Sequence, residues 1–514
     1  MGTRVGRMAP NEIDPTFLAL PYERLGQVAL ARAQDFGVTH ADFRFERNRY
    51  QHFSVRDGLL EGAQDAEDLG FAVRVILDGA WGFASGVALT ESEAVTVAET
   101  AVTVAKVAAK MTSRRVELAP EPVHKNATWV SSYDVNPLEV PLAEKTGLFA
   151  GWTSELLAAE GVDHATGSLQ QVQENKYYAD LGGSATTQQR VRLEPAIEVH
   201  GADRSTGAFD SMRTIAPPVG RGWEYLTGDL FDFAGERAEL PDLLREKLAA
   251  PSVHAGVYDL VIHPSNLWLT IHESIGHATE LDRALGYEAN YAGTSFATYD
   301  NLGVLRYGSP VMHVTGDRTV EHGLSTVGFD DEGVEGQSWD IIREGVLVGY
   351  QLDREMAHTY GAELNGGRSN GCSYADSSGH MPIQRMANVS LQPADDGPDT
   401  DGLISQVERG IFVVGDKSWS IDMQRYNFQF TGQRFYRIED GQLRGQLRDV
   451  AYQATTTDFW GSMEAVGGPS TYELGGAFNC GKAQPGQVAA VSHGCPSALF
   501  RDIRILNTTE EATV

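Results

Sequence analysis

Apolar and polar positions repeat along this chain with two periods, and the changes of period mark its elements. Residues 22–34 carry apolar side chains at helical spacing and stop near Gly37, which predicts an amphipathic helix. Residues 41–47 (Ala-Asp-Phe-Arg-Phe-Glu-Arg) alternate apolar with charged side chains, the pattern of a strand. Residues 51–60 and 70–77 continue as strands, separated by Gly58 and an acidic turn. Residues 79–86 read as a hairpin return. An Ala- and Val-rich helix over 90–111 then covers the sheet.

A helix over 142–159 follows, then alternating segments at 165–172 and 175–180, and an exposed-face strand at 191–200. Residues 220–250 hold two short helical stretches and the hinge into the next domain, with Pro241 and Pro251 as punctuation. This places a domain boundary near residue 252, with an α+β domain over 1–251 whose sheet is mixed or antiparallel. The second domain, 252–514, opens with a strand at 257–262, and Ser265 is the expected N-cap of the helix after it. Beyond Gly286 come short alternating runs broken by Gly and Asp, at 310–314, 345–352, 387–391, 410–414, 426–430 and 435–439. They predict a large, mostly antiparallel sheet. Residues 395–401 read as a solvated acidic loop and 507–514 as a frayed end. The fold class is α+β, and no internal repeat is evident.

Composition narrows the function classes. With 41 basic against 70 acidic residues the formal charge is −29, which argues against general nucleic-acid binding and against anionic membranes. No apolar run approaches the roughly eighteen residues of a membrane span. The first eleven residues contain Arg4 and Arg7 but no apolar core of a secretory signal, and Met8 is an alternative start. Cys372, Cys480 and Cys495 are too few for a disulfide framework, which points to a reducing cytoplasm.

The chemistry sits at Thr270-Ile271-His272-Glu273-Ser274-Ile275-Gly276-His277-Ala278, an H-E-x-x-x-H segment in an apolar helical run. Two imidazoles suit a borderline-soft divalent ion, and the adjacent carboxylate can accept a proton from water. The usual zinc-peptidase spacing is H-E-x-x-H, with both rings on one helix face. Here the histidines are five apart, so on a regular α-helix their directions differ by about 140°. They can share an ion only if the helix widens between them, and Gly276 is the residue expected to tolerate that distortion. The plain alternative is a helix with two histidines used for packing or capping.

A third ligand must come from elsewhere. Cys480, in a turn-like Asn-Cys-Gly-Lys setting, is the favoured donor; His493 and Cys495 are further candidates, Cys495 reading as ordinary packing. A separate site built from Cys480, His493 and Cys495 lacks a fourth ligand and the usual knuckle spacing.

Beyond this segment, the chain resembles the TldD/PmbA family of metallopeptidases, in particular the TldD-like branch that keeps the metal motif. The resemblance is carried by His272 to His277, Asp330-Asp331-Glu332-Gly333, Gly345-Val-Leu-Val-Gly-Tyr-Gln-Leu-Asp353, Arg385-Met386-Ala387-Asn388 and Cys480-Gly-Lys-Ala-Gln-Pro-Gly-Gln487. In the first half it is carried by Arg56-Asp57-Gly58-Leu59-Leu60-Glu61 and Gly70-Phe-Ala-Val-Arg74. It spans most of residues 25–506. This chain departs from the better-known members in its Ser274-Ile275 filling and in Glu280-Leu281-Asp282 after the second histidine.

The resemblance implies a zinc peptidase, with His272, His277 and Cys480 as ligands and Glu273 as general base. It also implies a paralogous PmbA/TldE-like subunit as partner, or a homodimer. A thiolate ligand weakens the Lewis acid, so an added electrophile is expected at the oxyanion; His493, Arg283 and several tyrosines are candidates. The many short strands suggest a peptide bound in extended form along a sheet edge. Two other readings compete. One is a non-catalytic, regulatory subunit with a structural metal, which would have no need of Glu273. The other is a non-hydrolytic metal enzyme, which would need a carboxylate in place of Cys480.

Overall fold

The computed structural model describes residues 12–510, so the alternative start at Met8 and residues 511–514 of the expected frayed end lie outside the described residues. The first half is a seven-stranded mixed sheet. Its order is Ala80–Gly86, Leu59–Leu77, His40–Arg56, His164–Asp180, Ala185–Asp203, with Ala127–Val130 and Ala208–Arg213 both paired to the last of these. All pairs are antiparallel except Ala127–Val130 on Ala185–Asp203.

Period-two alternation sorts the side chains of these strands. On His40–Arg56 the odd positions Phe43, Phe45, Phe53 and Val55 are buried in two clusters under helices. Tyr22–Asp35 and Glu91–Ala108 cover one end of that face, and Leu142–Leu157 with Phe233–Ala249 covers the other. Pro241 lies inside Phe233–Ala249, so it does not punctuate that segment as expected.

The even positions carry charge, and here the structure departs from the sequence reading. Asp42, Arg44, Glu46, Glu174, Lys176, Arg190 and Arg192 are buried, because the second half packs on this face. Burial of so many ions is tolerable only where each finds a counter-charge. Asp331 lies 2.7 Å from Lys176, and Glu332 lies 3.0 Å from Arg74. The exposed-face strand expected at 191–200 is thus buried on this side at Arg192, and its Glu194 borders a cleft. The acidic turn expected after Gly58 is also absent. Leu59–Leu77 is one strand, and its acidic first half stays exposed while pairing with His40–Arg56, with a bulge between Leu60 and Gly62.

In the second half the largest sheet closes on itself. Its ring runs Arg409–Ile421, Gly256–Ile262, Ala498–Asn507, Val450–Thr455, Asn427–Glu439 and back to Arg409–Ile421. One pair is parallel and the rest antiparallel, close to the expected pattern. Helix Pro264–Ile271 leaves the end of Gly256–Ile262 and is buried on all sides. The Asn266 side chain donates to the carbonyls of Gly415 and Thr431, and its oxygen accepts from the Tyr452 hydroxyl at 2.9 Å. The hairpin Glu473–Lys482/Gln487–Cys495 lies across the same helix. Gly475 permits this approach, since a Cβ there would meet the Trp268 indole at 2.4 Å.

Candidate metal centre

The helix begins two residues earlier than the sequence reading, which made Ser265 the cap, placed it. Pro264 occupies its first position, where a missing N–H costs nothing. His263 is the cap, accepting the Ser265 N–H at 3.2 Å, while the Ser265 hydroxyl accepts from Gly415. At His272 the helix changes character. Residues His272–Gly276 form a π turn, closed by the N–H of His277 on the carbonyl of His272. The extra residue in the turn compensates for the five-residue spacing, and the two rings lie 4.7 Å apart between centroids.

A widened turn loosens backbone bonding, and side chains make up for it. Gln351 donates to the carbonyl of Gly276 at 2.7 Å, Tyr307 to that of Ser274, and the Ser274 hydroxyl to that of Thr270. Gly276 itself has ordinary right-handed angles, φ −53° and ψ −58°, so the conformational freedom expected of it is not used. Space is what requires glycine: a Cβ would stand 2.5 Å from the Met386 sulfur.

His272, His277 and Cys480 come together, their donor atoms all within 4.8 Å of one another. Among the described residues no other such group of three could hold a metal. Hydrogen bonds fix which ring nitrogens are free. The Val389 carbonyl can only accept, so His493 places its proton on Nδ1, 2.8 Å away. His493 Nε2 is then an acceptor, and His272 donates to it from Nδ1 at 2.7 Å. His277 likewise directs Nδ1 to Glu280 Oε2 at 2.9 Å. Both histidines therefore keep an Nε2 lone pair, and His277 Nε2 stands 3.5 Å from Cys480 Sγ. Burial holds both imidazoles neutral, with His277 down to about 3 and His493 down to about 4. Burial also pushes the Cys480 thiol up to about 11, so ionising it calls for a neighbouring positive charge. Two bare nitrogens and a thiol facing one point are a donor set that fits a divalent metal.

Behind these three groups lies a closed polar layer that the sequence reading did not identify. Burial works against the Glu280 carboxylate, yet Lys482, His277 and Arg283 together hold it well below the usual range. Lys482 bonds Glu280 at 3.1 Å and Asp282 at 2.8 Å, and Arg283 reaches Glu280 at 3.2 Å. Arg385 donates to the Cys480 carbonyl at 2.6 Å. Glu280, which with Asp282 distinguishes this chain in the motif comparison, thus orients His277 through its far nitrogen, and Asp282 joins it through Lys482. Two of the expected oxyanion electrophiles are committed elsewhere: His493 to His272, and the fully buried Arg283 to Glu280 and the Ala292 carbonyl. Tyr307 is bound to Ser274.

Glu273 stands beside this cluster. Burial raises its pKa, and Arg425 opposes that shift from 2.6 Å, with help from Trp419. Trp419, which bonds Glu273, also walls a cleft of about 270 Å³ together with Trp268, Leu474 to Asn479 and, from the first half, Glu194 to Ala196. One edge of Glu473–Lys482 pairs with Gln487–Cys495; the other pairs with no strand among the described residues. That strand leads along the cleft wall to Cys480.

Comparison with known proteins places the chain among metallopeptidases. The sequence model for the PmbA/TldA metallopeptidase C-terminal domain matches residues 255–507, and that for the family's domain 1 matches residues 41–105. A metalloprotease of Methanocaldococcus jannaschii is 26% identical over 88% of this chain and 94% of its own length. A zinc metalloprotease TldD homolog of Saccharolobus solfataricus is 22% identical over 93% of this chain and 98% of its own. The crystal structure of TldE from Thermococcus kodakarensis shares the fold, with a TM-score of 0.64 at 16% identity, covering 94% of this chain and 99% of that one.

Proposed function

The chain belongs to the PmbA/TldD family of metallopeptidases, and we propose that it is a zinc-dependent peptidase with His272, His277 and Cys480 as ligands and Glu273 as general base. The observation that carries this is the convergence of two unprotonated Nε2 atoms and one thiol within 4.8 Å, beside an acid whose bonding partner Trp419 lines a cleft. Two nitrogens and one sulfur suit zinc better than a hard, oxygen-seeking ion. Bound there, zinc would polarise the scissile carbonyl and make water easier to ionise.

The protein's own groups do the rest. Glu273 takes a proton from the attacking water and delivers it to the departing amine nitrogen, so the C–N bond breaks without releasing a strongly basic amide. Arg425 favours the ionised form of Glu273 against burial. His493 and Glu280 hold the two ligand rings. The free edge of Glu473–Lys482 favours a peptide in extended form, bound through its backbone, which implies broad specificity.

The division near residue 252, a cytoplasmic location and pairing with a PmbA/TldE-like subunit or a second copy belong to the same proposal. All three cysteines are buried and unpaired, as a reducing compartment permits, and no helix among the described residues is long and apolar enough to cross a membrane. The rival reading, a regulatory subunit with a structural metal, leaves the Glu273–Arg425 pair without a purpose. Replacement Glu273→Gln tests the assignment. Bound metal should be unchanged while peptide hydrolysis falls by at least about 10²-fold, the usual scale for a general base. Retained hydrolysis would require a base elsewhere.

A further inference from the structure

The inner face of Ala185–Asp203 presents Arg190, Arg192 and Glu194 in succession, and two openings lie side by side along it. One is the cleft bordered by Glu194. The other is a cavity of about 170 Å³ lined by Arg190, Arg192, Ser131, Ser132 and His322, with the largely exposed Glu321 at its rim.

The cations of this buried seam are not equally provided for. Arg44 pairs with Glu46, Lys176 with Asp331 at 2.7 Å, and Arg190 grips both oxygens of Glu174 at 2.7 and 3.0 Å. Arg192 has a single bond, 3.2 Å to the Glu174 oxygen that already accepts from Arg190 and from the Tyr374 hydroxyl. Its Nε is buried without a partner, and the residue is only 5% exposed. A guanidinium offers five donors in a rigid fork; this one uses a single donor. A buried cation so poorly matched is costly, and a carboxylate is the group whose two oxygens fit the fork.

The cavity also adjoins the cleft. Arg192 lies over the Phe478 ring, 6.0 Å from its centroid, and Phe478 itself lines the cleft two residues from Cys480. The volume accommodates one small residue end, with the Ser131 and Ser132 hydroxyls as further donors. We propose that the cavity at Arg192 is a subsite for the terminal carboxylate of a peptide lying in the cleft. The proposal rests on the cleft being the peptide's path. It sets the cleavage register from the C-terminal end of the substrate.

The test compares one short peptide as free acid and as C-terminal amide, with binding to the intact protein measured by calorimetry and hydrolysis followed in parallel. The acid should bind at least about tenfold more tightly, the range of a charge-assisted bidentate pair. Arg192→Gln should erase that difference by weakening the acid alone, and Arg192→Lys should restore part of it. Equal affinity of acid and amide for the wild-type protein would overturn the subsite, and this comparison holds even if Arg192→Gln fails to fold. Discrimination that survives in a folded Arg192→Gln protein would overturn it too, as would inorganic phosphate bound at Arg192 without any preference between the peptides. Discrimination without hydrolysis would support the subsite and count against the peptidase reading instead.

Discussion

Arg425 reaches across 152 positions of sequence to place its Nη1 2.6 Å from Oε2 of Glu273. The loop that presents it is tightly built. Asp422 accepts from the backbone N–H groups of Gln424, Tyr426 and Asn427, and Arg425 itself is held at φ +62°, in the left-handed region that residues other than glycine uncommonly adopt. The pair opposes burial, which raises the Glu273 pKa.

Arg425→Gln should therefore weaken the base. With the cation gone, the Glu273 pKa rises further, and because the base must be ionised, the acidic limb of the kcat/KM profile moves to higher pH. Activity at neutral pH should fall by about tenfold or more, with metal content unchanged. An unshifted limb would separate Arg425 from the base.

His493 holds His272 through its far nitrogen, so His493→Ala should loosen the ring without removing a ligand. Metal affinity should drop by about 10- to 100-fold, the scale for such orienting groups. Competition with a chelator measures it; an unchanged affinity would make His493 mere packing.

Acid should destabilise the metal-free protein through the same residue. The folded-state pKa of His493 is lowered by burial to about 4, below the ordinary value of 6.5. Between those values the unfolded chain binds a proton that the folded chain does not. Stability is thus complete above pH 6.5 and is lost as pH falls towards 4, by about 3 kcal/mol for this group alone. Urea midpoints at pH 7 and pH 5 should show the fall, and His493→Ala should reduce it.

Gly276→Ala tests the packing of the π turn. The new methyl would meet the Met386 sulfur, and overpacking of this kind costs about 1–3 kcal/mol. A neutral change in urea denaturation would mean that Met386 yields easily.

Much of this site was legible in the sequence because it is local. A five-residue gap between His272 and His277 cannot be reconciled with one ion on a regular helix, so a widened turn was required; Cys480 stood out by its Asn, Gly and Lys neighbours, although these continue a strand and do not form the expected turn. What escaped depends on distance. Lys176 meets Asp331 from 155 positions away, so alternation on the strands read as a solvated face when it is a buried ionic seam. Arg425 and Lys482 could not be tied to Glu273 and Glu280 by spacing. Glu280 did carry a signal, three residues after His277, the reach of one helical turn. The acidic stretch after Gly58 misled because composition outweighed pairing: an exposed strand edge can be acidic as readily as a turn.

The most direct test of the central claim is zinc content per chain in the purified protein and in three single cysteine variants. All three thiols are buried, so burial alone does not distinguish them. Wild type, Cys372→Ala and Cys495→Ala should each carry about one zinc per chain, and Cys480→Ala should carry far less. Equal zinc in all four proteins would contradict the assignment of Cys480, His272 and His277 to one metal.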